Sequence, residues 1–188
     1  PLLLPSTSGQ RRGVLILGAS AAVLCVAAGV GAVTLARRMS NPPHDADGYL
    51  YIGLQNSEGQ VAVVDARAQR LTATIPMGAR PIRLAAGRDG ALIYVLNDNG
   101  ELAAIDGILH SVKDRYAIGG RPAGMAISPD DKTLYLTVLD RRSIIFFDTL
   151  TGREVGDVRV GRSPREIVVS PDGQWLYCFN SGDNTVSK

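Results

Sequence analysis

Four markers return along this chain at one interval, and that interval limits what it can fold into. Tyr51, Tyr94, Tyr135 and Tyr177 sit in the contexts LYI, IYV, LYL and LYC, spaced by 43, 41 and 42 residues. Asp65, Asp106 and Asp148 close the runs VAVVD, LAAID and IIFFD, spaced by 41 and 42. Pro81, Pro122 and Pro164 close GARP, GGRP and GRSP at the same two intervals, as do Asp89, Asp130 and Asp172 in GRDG, SPDD and SPDG. Four markers in one register define a repeated unit, and the content of the unit decides its class.

The third unit reads most clearly. PAGMAIS is a short apolar run, PDDK a turn in which proline presets φ, TLYLTVL an alternating run, DRRS a turn, SIIFFD a third run. After TLTG, REVGDVRVG is a looser fourth run with valine at every second or third place. Four short strands joined by turns make a β-meander of one propeller blade. The spacing of proline and glycine and the lack of a 3.6-residue apolar stripe exclude a helical repeat. The expected units are 49–81, 82–122, 123–164 and an incomplete 165–188, the first lacking an inner strand before Tyr49 and the last ending after NTVSK opens a third strand. About three and a half blades cannot close a ring, since propellers use roughly four to eight. The chain therefore reads as part of a longer propeller, with the missing inner strand supplied from elsewhere in it.

The order SPDG, LY, N, NTV, VD, T, I, G, P resembles the YVTN-type β-propeller repeat, which is related to lactonase-like seven-bladed propellers. Asp172, Gly173, Tyr177, Asn180, Asn184, Thr185, Val186, Asp65 and Gly78 carry the likeness, which covers Gly48 to Lys188. The resemblance implies an all-β propeller fold. Lactonase-like relatives would imply hydrolysis of a sugar lactone, through rim residues that these blades do not identify. No Trp-Asp pair closes any unit, and Trp175 is expected within a strand.

Ahead of the repeats lies GVLILGASAAVLCVAAGVGAVTLA, Gly13 to Ala36, 24 residues without a charge. As a helix it would be roughly 36 Å long at 1.5 Å per residue, enough for a hydrocarbon core of about 30 Å. Lacking a polar face, it is expected to be a transmembrane helix or uncleaved signal anchor over 13–36. Residues 1–12 then form a cytoplasmic flank and 37–48 a short tether. Arg11 and Arg12 also resemble a twin-arginine export signal, which leaves release of an exported propeller as the alternative. No Ala-x-Ala cleavage site follows the stretch. Two arginines on each side tie the positive-inside count, so the extracytoplasmic placement rests on architecture. Residues 39–188 carry 16 basic and 18 acidic side chains, which argues against a nucleic-acid surface built on bulk positive charge.

Most recurring residues have a structural role. An aspartate ending a strand accepts hydrogen bonds from its following turn, and the recurring tyrosine rings suit packing between neighbouring blades. The functional candidates are the loops expected on one rim: Arg80, Arg121, Asn97, Asp140, Arg141 and Asn180, where arginines can hold a carboxylate or phosphate of a small anion or a protein partner. Only His44 and His110 are histidines; no metal site, covalent-haem motif, nucleophile elbow or phosphate loop is present, and no cofactor is expected. Cys25 and Cys178 lie in different segments and offer no disulfide within the chain. The leading expectation is a membrane-anchored, extracytoplasmic binding or interaction module of a bacterial envelope. A lactonase-like hydrolase or redox-enzyme propeller, and the sensor domain of a receptor, are the alternatives.

Overall fold

A computed structural model describes residues 35–37, 48–54 and 58–188. It is all-β there: fifteen strands in four antiparallel sheets. The first sheet is β1 (Leu35–Arg37), β2 (Tyr49–Leu54), β3 (Gln60–Asp65) and β4 (Arg70–Pro76), and the second is β5 (Pro81–Ala86), β6 (Leu92–Asn97), β7 (Glu101–Asp106) and β8 (Ser111–Ala117). The third is β9 (Pro122–Ile127), β10 (Thr133–Val138), β11 (Ser143–Asp148) and β12 (Arg153–Arg159); the fourth is β13 (Pro164–Val169), β14 (Leu176–Asn180) and β15 (Thr185–Ser187). Each sheet is a meander in chain order, the arrangement expected of a blade.

The expected strands of the third unit coincide with β9 to β12. Pro81, Pro122 and Pro164 open the inner strands rather than closing the preceding unit. A strand's first residue tolerates a missing N–H, which is why proline sits there. Trp175 precedes β14 instead of lying within it. The first sheet brings a larger correction. Leu35–Arg37, placed by the sequence reading at the end of the apolar stretch and the start of the tether, pairs with β2 in the register Leu35↔Ile52 to Arg37↔Leu50. An inner strand therefore stands before Tyr49, where the sequence reading had none, because the backbone of β2 offers a free edge that these residues satisfy. Among the described residues no helix is long and apolar enough to cross a membrane; the remainder of the 13–36 segment, the 1–12 flank and most of the tether lie outside them.

Strand alternation gives each sheet two apolar faces, and consecutive sheets pack face to face in a propeller-like arrangement. At the first seam Tyr51, Val61 and Val63 of the first sheet meet Leu84, Ile93, Val95 and Ile105 of the second. At the second, Tyr94, Leu96 and Leu102 meet Met125, Leu134, Leu136 and Val138. At the third, Tyr135, Ile144 and Phe146 meet Ile167 and Cys178. Inner strands β5, β9 and β13 are neighbours, while β4, β8 and β12 form the outer edges.

Candidate functional site

Strand direction sorts the loops into two ends. The linkers between sheets and the loops between second and third strands share one end, as the sequence reading expects. Backbone bonds join them: Asp98 N–H donates to the Arg80 carbonyl at 2.9 Å, Leu139 to Arg121 at 2.9 Å and Ser181 to Ser163 at 3.0 Å. Aspartate side chains add a second tie. Asp98 accepts from the Arg80 N–H at 3.2 Å and Asp140 from that of Arg121 at 3.0 Å. Asp183 accepts from the Arg162 N–H and from its guanidinium.

This scheme separates the six candidates. Arg80 and Arg121 occupy equivalent linker positions with exposed side chains. Asp140 holds the Arg121 backbone, and chiefly that N–H keeps its carboxyl below the usual range. Arg141 turns to the outer strand and pairs with Glu154 at 3.2 Å, an exposed ion pair of about 0–1 kcal/mol. Asn97 and Asn180 are fully buried. Asn180 donates to Thr185 Oγ1 at 3.2 Å and Ser187 Oγ at 2.9 Å, while Asn97 donates to Glu101 at 3.3 Å and leaves its Oδ1 without a protein partner. Both asparagines end a strand and tie it to the strand that follows.

Sequence reasoning missed Arg162, Asp98 and Asp183. In GRSP the arginine precedes its GGRP counterpart by one place relative to proline, which hid a third arginine-bearing linker. It also missed an ion pair that skips a sheet: Arg83 on β5 binds Glu166 on β13. Both lie two residues after their unit's proline, and Gly124 holds that place on the intervening β9. A Cβ at Gly124 would come 1.9 Å from the Arg165 carbonyl oxygen, so only glycine lets the inner strands approach here. Thr137 Oγ1 completes the tie, accepting from Gly124 N–H at 2.7 Å and donating to that same carbonyl at 2.9 Å.

At the opposite end the recurring aspartates play the turn role read from the sequence. Asp65 Oδ1 accepts from Arg67 and Ala68, Asp106 from Ile108 and Leu109, and Asp148 from Thr151. The Ser-Pro-Asp turns are closed by Ser128 with Asp130 and by Ser170 with Asp172. No group of three or more potential metal ligands occurs among the described residues.

Comparison with solved structures supports the fold. Hydrazine synthase from Kuenenia stuttgartiensis superimposes with a TM-score of 0.67 and 29% identity, over 77% of this chain and 41% of that one. A protein of unknown function from Desulfotomaculum acetoxidans gives 0.64 and 19% identity, over 85% of this chain and 55% of its own. The chain thus spans less than two thirds of the length of either. No protein-family model matches the sequence, and no curated protein does.

Proposed function

We propose that this chain is an arc of a larger, closed YVTN-type propeller, seven-bladed as its resemblance to lactonase-like propellers implies, which serves as a membrane-tethered extracytoplasmic binding module. The observation that carries the binding reading is the placement of Arg80, Arg121 and Arg162 on three consecutive linkers at one end, each linker held by an aspartate from the adjoining loop. Guanidinium groups on fixed backbones suit a carboxylate or phosphate, from a small anion or an acidic protein segment. The ring reading is supported by the outward face of the fourth sheet. Trp175 and Phe179 are 47% and 43% exposed there, whereas Leu96, the counterpart of Phe179 on β6, is 0% exposed beneath the third sheet.

Calorimetric titration with inorganic phosphate and with succinate tests the rim. The expected result is saturable binding that weakens at least tenfold in Arg80→Ala/Arg121→Ala; equal heats in that variant and the parent sink the reading. A reporter fused after Lys188 should be active outside the cytoplasm, and activity only inside would remove the extracytoplasmic assignment. The likeness to hydrazine synthase favours a second reading, a propeller domain of a redox enzyme. A cofactor-attachment motif elsewhere in the full reading frame would decide for it.

A further inference from the structure

The two members of the Arg83–Glu166 pair are held very differently. Arg83, on β5, keeps 23% of its side chain exposed, whereas Glu166, on β13, keeps 61%. The guanidinium has an anchor of its own, since Nη1 donates to the Ile82 carbonyl at 2.7 Å. Nη2 donates to one carboxylate oxygen, Oε1 of Glu166. The intervening β9 contributes no side chain at the equivalent place, where Gly124 stands. Separating the pair therefore costs its members unequally. Glu166 turns into water, where a carboxylate is well solvated. Arg83 stays on its strand, its planar fork fixed by the carbonyl and in want of an anion.

We propose that Arg83 is a carboxylate-binding residue of the inner strands and that Glu166 is its built-in competitor, displaced when a small carboxylate ligand binds. The assignment deepens the anion-binding reading of this end, on which it rests, by naming the residue that regulates it. In the structure the Glu166 carboxylate stands in for that of the ligand, on a guanidinium suited to hold it. Charge along the inner strands favours the exchange. Arg83 and Arg165 face the single acidic residue of β5, β9 and β13, which is Glu166 itself. Arg165 is tied to the neighbouring loop, its Nε donating to Ser181 Oγ at 3.3 Å. Arg80 and Arg121 immediately precede β5 and β9 at the same end. A ligand that displaces Glu166 thus enters a field of positive charge that the displaced carboxylate no longer offsets. Because an exposed ion pair is weak, Glu166 tunes the affinity of Arg83 and does not abolish it.

Calorimetric titration of the full chain with succinate at low salt tests the competition. The expected result is binding about threefold tighter in Glu166→Gln than in the parent, the factor an exposed ion pair is worth. That gain should vanish in Arg83→Gln/Glu166→Gln. Glutamine keeps the length of glutamate without its charge, and Glu166→Ala serves should that variant fold poorly. In the parent, the carbon NMR signal of the Glu166 side-chain carboxyl, assigned by its loss in Glu166→Gln, should move as succinate is added. A pair with only a structural role would not respond in this way. Equal or absent binding in parent and Glu166→Gln, a gain that survives loss of Arg83, or an unmoved Glu166 signal would overturn the proposal. Binding that needs Arg80 and Arg121 but ignores Glu166 would overturn it while keeping the linker arginines. The gain in Glu166→Gln, with no effect of Arg80→Ala/Arg121→Ala, would support Arg83 as the site and remove the linker arginines from it.

Discussion

At the residue scale, carboxylates and one thiol carry the clearest electrostatics. Asp106, Asp140, Asp148 and Asp183 are held below the ordinary carboxylate range mainly by backbone N–H donors, and Asp130 and Asp172 mainly by the hydroxyls of Ser128 and Ser170. A carboxyl depressed in the folded state stabilises above its unfolded pKa, about 3.9, and the effect is lost as pH falls through the folded values. Thermal unfolding should therefore show this contribution intact at pH 5 and declining below about pH 4, with Asp148→Asn flattening the decline. Cys178 is fully buried and its thiol is pushed up to about 11 by desolvation. In a Cys25→Ser background it should resist alkylation at pH 7.5 until denaturant is added; rapid labelling of the folded chain would contradict the burial. At Gly124 an alanine meets the Arg165 carbonyl, and Gly124→Ala should cost toward the upper end of about 1–3 kcal/mol, read from urea unfolding.

Among elements, the inner three strands of each sheet were legible as short apolar runs between turn residues and the exposed outer strands as looser runs, and the turn role of Asp65, Asp106 and Asp148 was readable from their place at strand ends. The exception was β1. Leu35–Arg37 straddles the end of the apolar stretch and the start of the tether with no turn residue to set it off; only pairing with β2 makes it a strand. Seam strands carry the packing. Leu136 is fully buried at the second seam, and Leu136→Ala should destabilise by about 2–5 kcal/mol. Leu150 on an exposed turn is 92% accessible, so Leu150→Ala should stay within about 0.5 kcal/mol. Similar losses for the two would contradict the face-to-face packing of the sheets.

For the whole molecule, the repeat explains why one face differs from its counterparts. On the fourth sheet Val168, Tyr177, Phe179 and Val186 point away from the third sheet and are exposed, while Lys188 lies over the Trp175 ring at 3.7 Å. A contiguous apolar face of this kind drives association. Sedimentation of the chain should show concentration-dependent self-association that Tyr177→Lys/Phe179→Lys reduces; an unchanged profile would place the association elsewhere.

The sequence by itself determined the four sheets, their turns and the end on which the linkers gather, since period-two alternation and turn chemistry are local properties. Tertiary structure alone decided the rest. It buried Asn97 and Asn180 at the ends of β6 and β14, added Arg162 to the linker arginines, joined Arg83 to Glu166 across Gly124, and brought His110 to Tyr51 over the first seam. The partners in the last two pairs lie 83 and 59 residues apart in the chain, and only the stacking of one sheet on the next sets the distance between them.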